Sequence, residues 1–375
     1  MRQTGINQIK DMVMNLAEDI LIIGGGIIGL SLAIELKLRG ASVTVLSRNC
    51  QEAAARAAAG MLAPQAEEIP PSPMLDLCLK SRSLYPDWIT KLESLTGFNS
   101  GYWDCGILAP IYESVNGIKE HKFTENAHWL DEKEVHKHLP GLSAEVKGGW
   151  WYPDDGQVDN RALYETLKAA VNFLKIEIIA GNVTEFLHNE TKILGVKTSQ
   201  CEYQASHYVL TTGAWTQELL PMIPVYPTKG QMLSISPPDQ GGDLPLKNVL
   251  FGEEIYVVPR RDGKIVLGAT SENVGFTSGN TSAGIQALLQ GANRLFPQLK
   301  DYQISEFWWG FRPATPDELP ILGSSEWENL TLATGHYRNG ILLAPVTVQL
   351  IADLILDNIF DPLLSHFLYS RFSDN

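Results

Sequence analysis

Cysteine is scarce in this chain. Its 375 residues carry four, at positions 50, 78, 105 and 201, and no two of them form a CxxC pair. That argues against a disulfide framework or a cysteine-bound zinc, and fits reduced thiols in a cytoplasmic protein. Basic charge is also short: 29 Lys and Arg stand against 43 Asp and Glu, a formal net charge of −14. Nucleic acid and anionic membrane surfaces need basic partners, so neither is expected here. An anionic small ligand stays open, because one or two arginines in a cleft reverse the field locally. No uninterrupted membrane-length apolar run occurs either: ILIIGGGIIGLSLAIEL holds four glycines and Glu35, so no membrane insertion is expected. The opening stretch MRQTGINQIKDMVMNLAED has no apolar core of a secretory signal, and residues 1–17 read as a loose extension. There is no internal repeat and no low-complexity tract. At 44% hydrophobic and 19% charged, the composition is that of a soluble globular protein of about two domains.

What is present begins with one βαβ unit. DILII (19–23) is a continuous apolar run, as a strand buried on both faces requires. Gly24-x-Gly26-x-x-Gly29 follows and opens a helix that Gly40 is placed to stop; ASVTVLS is the second strand. In that context the glycines point to a dinucleotide. The first permits the turn, the second lets a pyrophosphate near the backbone, and the third lets helix and strand pack closely. The phosphates would meet free N–H groups at the helix N-terminus, beside Ile27 and Ile28. Which dinucleotide is less plain. The acid that holds a ribose should end the second strand, and counting lands on Ser47, followed by Arg48. Absence of the acid weakens NAD, and Arg48 suggests a 2′-phosphate and NADP. Ser47 is equally able to hydrogen-bond a ribose hydroxyl. Local sequence leaves the choice open.

Further along, the periodicity predicts helices over 76–96, 160–175 and 281–296, alternating strand material over 225–270, and a strand, glycine turn and closing helix over 330–360. This order suggests two domains, each built from separated pieces of chain. Four downstream stretches, AAAGMLAPQ (57–65), TTGAW (211–215), WWGFRPATPDELPILG (308–323) and ATGHYRNGILLAP (333–345), join GGGIIG in one ordered set. Together they resemble the D-amino-acid-oxidase-like flavoproteins, and most nearly the glycine oxidases of thiamine biosynthesis, over about residues 18–365. The resemblance implies an α/β fold (α+β overall): a Rossmann-like FAD-binding domain of the GR2 type over 18–97, 153–224 and 310–365, and a β-rich substrate-binding domain over 98–152 and 225–309.

The same resemblance implies non-covalent FAD in place of a nicotinamide. Its cofactor residues would be Gly24, Gly26, Ile27, Ile28 and Gly29 at the pyrophosphate, Ser47, Arg48 and Val183 on the adenosine side, and Ala59, Gly60 and Met61 nearer the ring, with Gly213 a further contact. The run His336, Tyr337, Arg338, Asn339, Gly340, Ile341 and Leu342 would lie against the flavin, its N–H groups stabilising negative charge. Arg312 would anchor a substrate carboxylate, with Tyr256, Arg338 and Met61 completing the substrate site. Arginine's planar fork suits that task better than lysine. Without the resemblance, Arg312 reads as a surface ion pair with Asp317 or Glu318, and Tyr256 as a half-buried strand aromatic.

The implied reaction is oxidative deamination of glycine and related small amines. Hydride passes to the flavin, O2 becomes H2O2, and an imine or glyoxylate results, which agrees with the lack of any obvious catalytic His or Asp. Sarcosine oxidase, D-amino-acid oxidase and a D-amino-acid dehydrogenase are alternatives within the family, and a non-catalytic flavin-binding protein is one outside it. Partners in this reading are the amino acid and O2, with a homo-oligomer and hand-off to a thiazole synthase as further expectations; 375 residues leave no room for such a synthase as a fused domain. Glu254 and Ser271 depart from the expected lining residues. Other features have plainer readings: His136 and His138 on a solvated helix face and no metal, Trp150-Trp151 and Trp308-Trp309 packing a domain interface, Asp154-Asp155 as a turn, and no GxSxG nucleophile.

Overall fold

A computed structural model of the chain describes residues 13–15, 20–113, 126–238, 244 and 246–372. The strand Ile20–Ile23 shows how an unbroken apolar run is used. Successive side chains point to opposite faces. Ile20 and Ile22 therefore pack with Val43 and Val45 on one side, while Leu21 and Ile23 pack with Leu46, Tyr208 and Leu210 on the other. Burying each such side chain contributes about 1.5–3 kcal/mol.

This strand sits inside a six-stranded sheet ordered Ile321–Ser324, Leu330–Thr334, His207–Leu210, Ile20–Ile23, Val43–Ser47, Glu177–Ala180. All neighbours run parallel except the first pair. Four helices, Ile27–Leu38, Pro73–Thr96, Asn160–Phe173 and Ala344–Asp357, cover one face. A smaller sheet containing Val183–His188, Ile193–Thr198 and Glu202–Gln204 covers the other. The helix expected from residue 76 starts at Pro73, because the Ser72 hydroxyl caps the Leu75 amide at 3.3 Å and proline suits the first helical position.

The expected loose extension is only partly accurate. Val13–Asn15 forms a strand parallel to Glu202–Gln204, because that edge of the small sheet offers unpaired backbone groups; residues 1–12 and 16–17 lie outside those described.

The second large sheet has eight strands, ordered Gln303–Ala314, Tyr226–Ser236, Ile265–Gly268, Tyr256–Pro259, Val249–Phe251, Ile107–Ile111, Gly148–Tyr152, His128–Asp131. One face packs on the helices Glu132–His138 and Ser282–Leu295. The other turns toward Ala59 and Met61. The strand Gln303–Ala314 pairs along its length with Tyr226–Ser236, so it runs unbroken across residue 310 and delivers Arg312 to the space between the sheets. No helix among the described residues is long and apolar enough to cross a membrane.

Candidate active site

The carboxyl ends of the parallel strands converge on the glycine turn, where ligands of open α/β sheets bind. Gly24 has φ +118, and its amide donates to Leu46 O at 2.9 Å. A Cβ there would lie 2.5 Å from Thr211 O, so only glycine fits. Gly29 packs behind the turn against Gly24 and Thr211 and does not face the cavity. The helix Ile27–Leu38 starts with no acidic residue in its first turn and no side-chain cap, which leaves its first N–H groups free for an anion. Ser47 is buried, and its hydroxyl accepts the Gly25 N–H at 3.2 Å. Arg48 lies over the Trp215 ring at 4.9 Å and pairs with both Glu52 and Glu218 at 3.1 Å.

From this turn a single cavity extends between the two large sheets. It holds about 2050 Å³, its open mouth included. Its lining reaches from the glycine turn at Gly24 to Arg312, Tyr256 and Arg338, so one opening serves both a dinucleotide and a small substrate. Gly24, Gly26, Ile27, Ile28, Ser47, Arg48, Val183 and Gly213 line it, as do Ala59, Gly60, Met61, His336, Tyr337, Gly340 and Ile341. Besides Gly29, two expected residues do not. Asn339 closes a turn onto His336 O at 2.9 Å, and Leu342 is buried in the core, its carbonyl accepting from the Ser81 hydroxyl at 2.6 Å. Burial pushes His336 down to about 3, so its ring is neutral beside the Thr347 hydroxyl.

Arg312, Tyr256 and Arg338 share this cavity. Arg312 donates to Thr270 O at 3.1 Å, and its guanidinium crosses the facing strand at Gly230, where a Cβ would sit 2.6 Å from it. The surface ion pair that Arg312 alone suggests does not form with Asp317, whose carboxylate is taken by Arg371 at 2.7 Å. The Tyr256 hydroxyl donates to Met232 Sδ at 3.8 Å; burial, working against the nearby Arg312 cation, raises the phenol above its ordinary value and keeps it protonated. The Arg338 guanidinium lies 5.1 Å from the Tyr337 ring. Glu254 and Ser271 line the same space, Glu254 pairing with Arg294 at 3.7 Å.

Three acid or base groups escape the sequence reading. Glu67 lines the cavity among the arginines. Burial pushes its carboxyl up to about 7, against the pull of Arg338, Arg312 and the Asn339 side chain. In sequence it is one of two adjacent glutamates after a proline, a pattern that looks like solvated loop. Asp155 corrects the turn reading of Asp154-Asp155. The chain does turn there, and Asp154 is exposed, but Asp155 is fully buried. It accepts from the Gln65 and Ala66 amides at 3.1 and 2.8 Å and from Arg82 at 2.5 Å. Burial still pushes it up to about 6. Arg260, also buried, donates to Gln157 Oε1, Ala59 O and Asn160 Oδ1 at 2.5, 2.6 and 3.2 Å.

The tryptophans divide. Trp308 joins the sheets, its indole donating to Ala57 O at 3.0 Å under Arg161. Trp150 instead packs within its own sheet against Trp129, Trp151 lies on His138, and Trp309 is exposed, because alternate residues of a strand face opposite ways. His136 meets Val146 O at 3.1 Å.

The pattern that defines FAD dependent oxidoreductases matches residues 19–354. The chain is 61% identical over 362 residues to the "Bifunctional protein ThiO/ThiG" of Trichormus variabilis, covering 95% of this chain and 55% of that one; it thus spans about half the length of such relatives. It is 32% identical to the "Glycine oxidase" of Geobacillus kaustophilus, covering 90% of this chain and 92% of the relative. The crystal structure of glycine oxidase from Geobacillus kaustophilus superposes with a TM-score of 0.87 at 30% identity, covering 95% and 99% of the two chains. The cofactor is FAD, and the glycine turn, the unblocked helix N-terminus and the long cavity fit it. On sequence, fold and cofactor cradle alike, this chain belongs to the FAD-dependent oxidoreductase (DAO) family.

Proposed function

We propose that this chain oxidises glycine and related small amines, such as sarcosine and small D-amino acids, to the imine and then glyoxylate, with O2 reduced to H2O2. The observation that carries this reading is one cavity holding the glycine turn and, between the sheets, Arg312 together with Tyr256. The six-stranded sheet, with residues 18–97, 153–224 and 310–365, carries the cofactor. Residues 98–152 and 225–309 supply the substrate face, together with Arg312 from the end of the strand Gln303–Ala314, which continues past residue 309 in the same sheet.

FAD, when bound, accepts hydride from the substrate α-carbon and passes the electrons to O2. The protein's part is position and electrostatics. Arg312 offers a planar pair of donors to the carboxylate, steadied by Thr270 O. Tyr256 stays protonated and donates to the same group. Arg338 adds positive charge at the open side, where it is exposed. Neutral His336 adds no charge to the cavity wall. A product hand-off to a thiazole synthase, in the thiazole branch of thiamine biosynthesis and in the cytoplasm, agrees with relatives named as bifunctional ThiO/ThiG proteins.

The test is anaerobic mixing of the FAD-loaded protein with glycine, sarcosine and D-alanine, followed in air by a peroxide assay. Bleaching of the flavin by at least one, with peroxide on reoxidation, is expected. No bleaching by any of them overturns the reading in favour of a flavin-binding protein without this chemistry.

A further inference from the structure

The substrate end of the cavity is built for more than a carboxylate. Arg312, from the strand Gln303–Ala314, and Arg338, from the glycine turn that follows Leu330–Thr334, supply two positive charges there. Glu67 reaches the same space from a different part of the chain, the turn after Met61–Leu62. Its backbone is fixed: the Glu67 amide donates to Ala63 O at 2.9 Å, and the preceding Gln65 and Ala66 amides are held by buried Asp155. The other acids on the cavity wall are differently placed. Glu52 and Glu218 pair with Arg48 at the adenosine end, Glu254 pairs with Arg294, and Glu253 is exposed to solvent.

A zwitterionic amino acid has two charges to satisfy, and the arginines can satisfy only one. Left with no anion, a substrate ammonium buried beside two guanidinium groups would be strongly disfavoured. We propose that the Glu67 carboxylate recognises the substrate nitrogen, accepting one N–H proton from the ammonium so that the amine is neutral when its α-hydrogen leaves. This rests on the amine-oxidising reading above.

In that step an N–H bond breaks and an O–H bond forms on Glu67: ammonium and carboxylate become amine and carboxylic acid. The nitrogen keeps the lone pair that assists hydride departure, and no electron leaves the pair. The neighbours set the acceptor's strength. Burial and the carboxylate of Asp155 raise its proton affinity, whereas Arg338, Arg312 and the Asn339 amide lower it. The Tyr256 phenol and the Cys78 thiol also lie within its field and stay protonated. The result, a carboxyl near 7, is suited to taking a proton at neutral pH and giving it up again.

The experiment compares FAD-loaded wild type with Glu67→Gln and Glu67→Asp, using glycine and glycolate, in which a hydroxyl replaces the amine. Glycolate dissociation constants come from the change in flavin absorbance, glycine rates from anaerobic flavin reduction. Glu67→Gln is expected to keep its FAD and bind glycolate within about threefold, yet lose about 10- to 100-fold in glycine kcat/KM, the span of a hydrogen bond to a charged group. Glu67→Asp should recover part of that loss. In wild type, kcat/KM should rise with pH through about 7, since only the carboxylate form accepts a proton; the variant should lack this limb. Equal changes for glycine and glycolate, or no change in either, overturn the proposal and make Glu67 a counter-ion of Arg338. If wild type is not reduced by glycine, the reaction reading fails separately. Glycine is then not consumed, and its dissociation constant, measured like that of glycolate, still decides the role of Glu67.

Discussion

The Ser47 hydroxyl accepts the Gly25 N–H at 3.2 Å, so the residue standing where a ribose acid was expected braces the phosphate turn. Its neighbour is equally committed. Arg48 is neutralised by Glu52 and Glu218 and stacked on Trp215, which leaves no free positive charge to select a 2′-phosphate. The pair that suggested NADP in sequence is thus explained by local packing.

Replacing Ser47 with alanine strips the buried Gly25 amide of its acceptor. An unsatisfied buried donor costs about 1–3 kcal/mol. Because the turn carries the pyrophosphate, Ser47→Ala is expected to weaken FAD retention about 5- to 100-fold. The ratio of flavin to protein absorbance after dialysis measures it. Full retention would show that the turn holds without Ser47.

Arg312 is tested from two sides. Arg312→Lys keeps the charge but loses the fork, and should lower glycine kcat/KM by about 10- to 100-fold, one charge-assisted bond's worth. Gly230→Ala leaves Arg312 in place but puts a methyl 2.6 Å from its guanidinium, so a smaller loss, chiefly in KM, is expected. Both variants should remain yellow, since neither residue lies at the glycine turn. Loss of bound FAD in either would mean that the two ends of the cavity are not independent.

The βαβ unit, the long helices and the cofactor turn were legible because each obeys a local rule of period, cap or glycine spacing. Arg312 and Tyr256 were legible only through resemblance, for in isolation each has an ordinary surface or strand reading. Glu67, Asp155 and Arg260 were not legible. Their character comes from burial by segments far away in sequence: Asp155 meets Gln65 and Arg82, and Arg260 meets Ala59 and Asn160. No local pattern marks which charged residue of a loop will be enclosed. Val13–Asn15 was missed for a related reason, since a three-residue strand is defined by its partner and not by its own period.

Glu67 also predicts a stability profile. Its carboxyl is raised from 4.5 to about 7 in the folded protein, so the fold favours the protonated form. The associated stability is complete below about pH 4.5 and is lost as pH rises through 7. Glu67→Gln cannot titrate and keeps a neutral side chain. Urea unfolding of FAD-saturated protein should therefore find the variant more stable than wild type at pH 8, with the advantage fading towards pH 5. Parallel profiles would mean that Glu67 is hydrated in the native state.

Arg260 makes the most demanding case, because its loss should couple stability to the cofactor. The guanidinium is 6% exposed and joins Gln157, Asn160 and the Ala59 carbonyl, with Asp159 at 3.6 Å. Arg260→Met fills much of the volume but leaves these acceptors without donors, and removing one partner from a buried charged network costs about 3–5 kcal/mol. Ala59 directly precedes Gly60 and Met61 on the cavity wall, so the strain falls where the flavin ring would rest. The urea midpoint should drop, and FAD affinity should fall with it even at temperatures where the variant stays folded. Arg260→Lys, able to supply a charge but not three directed bonds, should lie between. A large stability loss with unchanged FAD affinity would separate the two effects, and would place the contribution of Arg260 in the sheet junction alone.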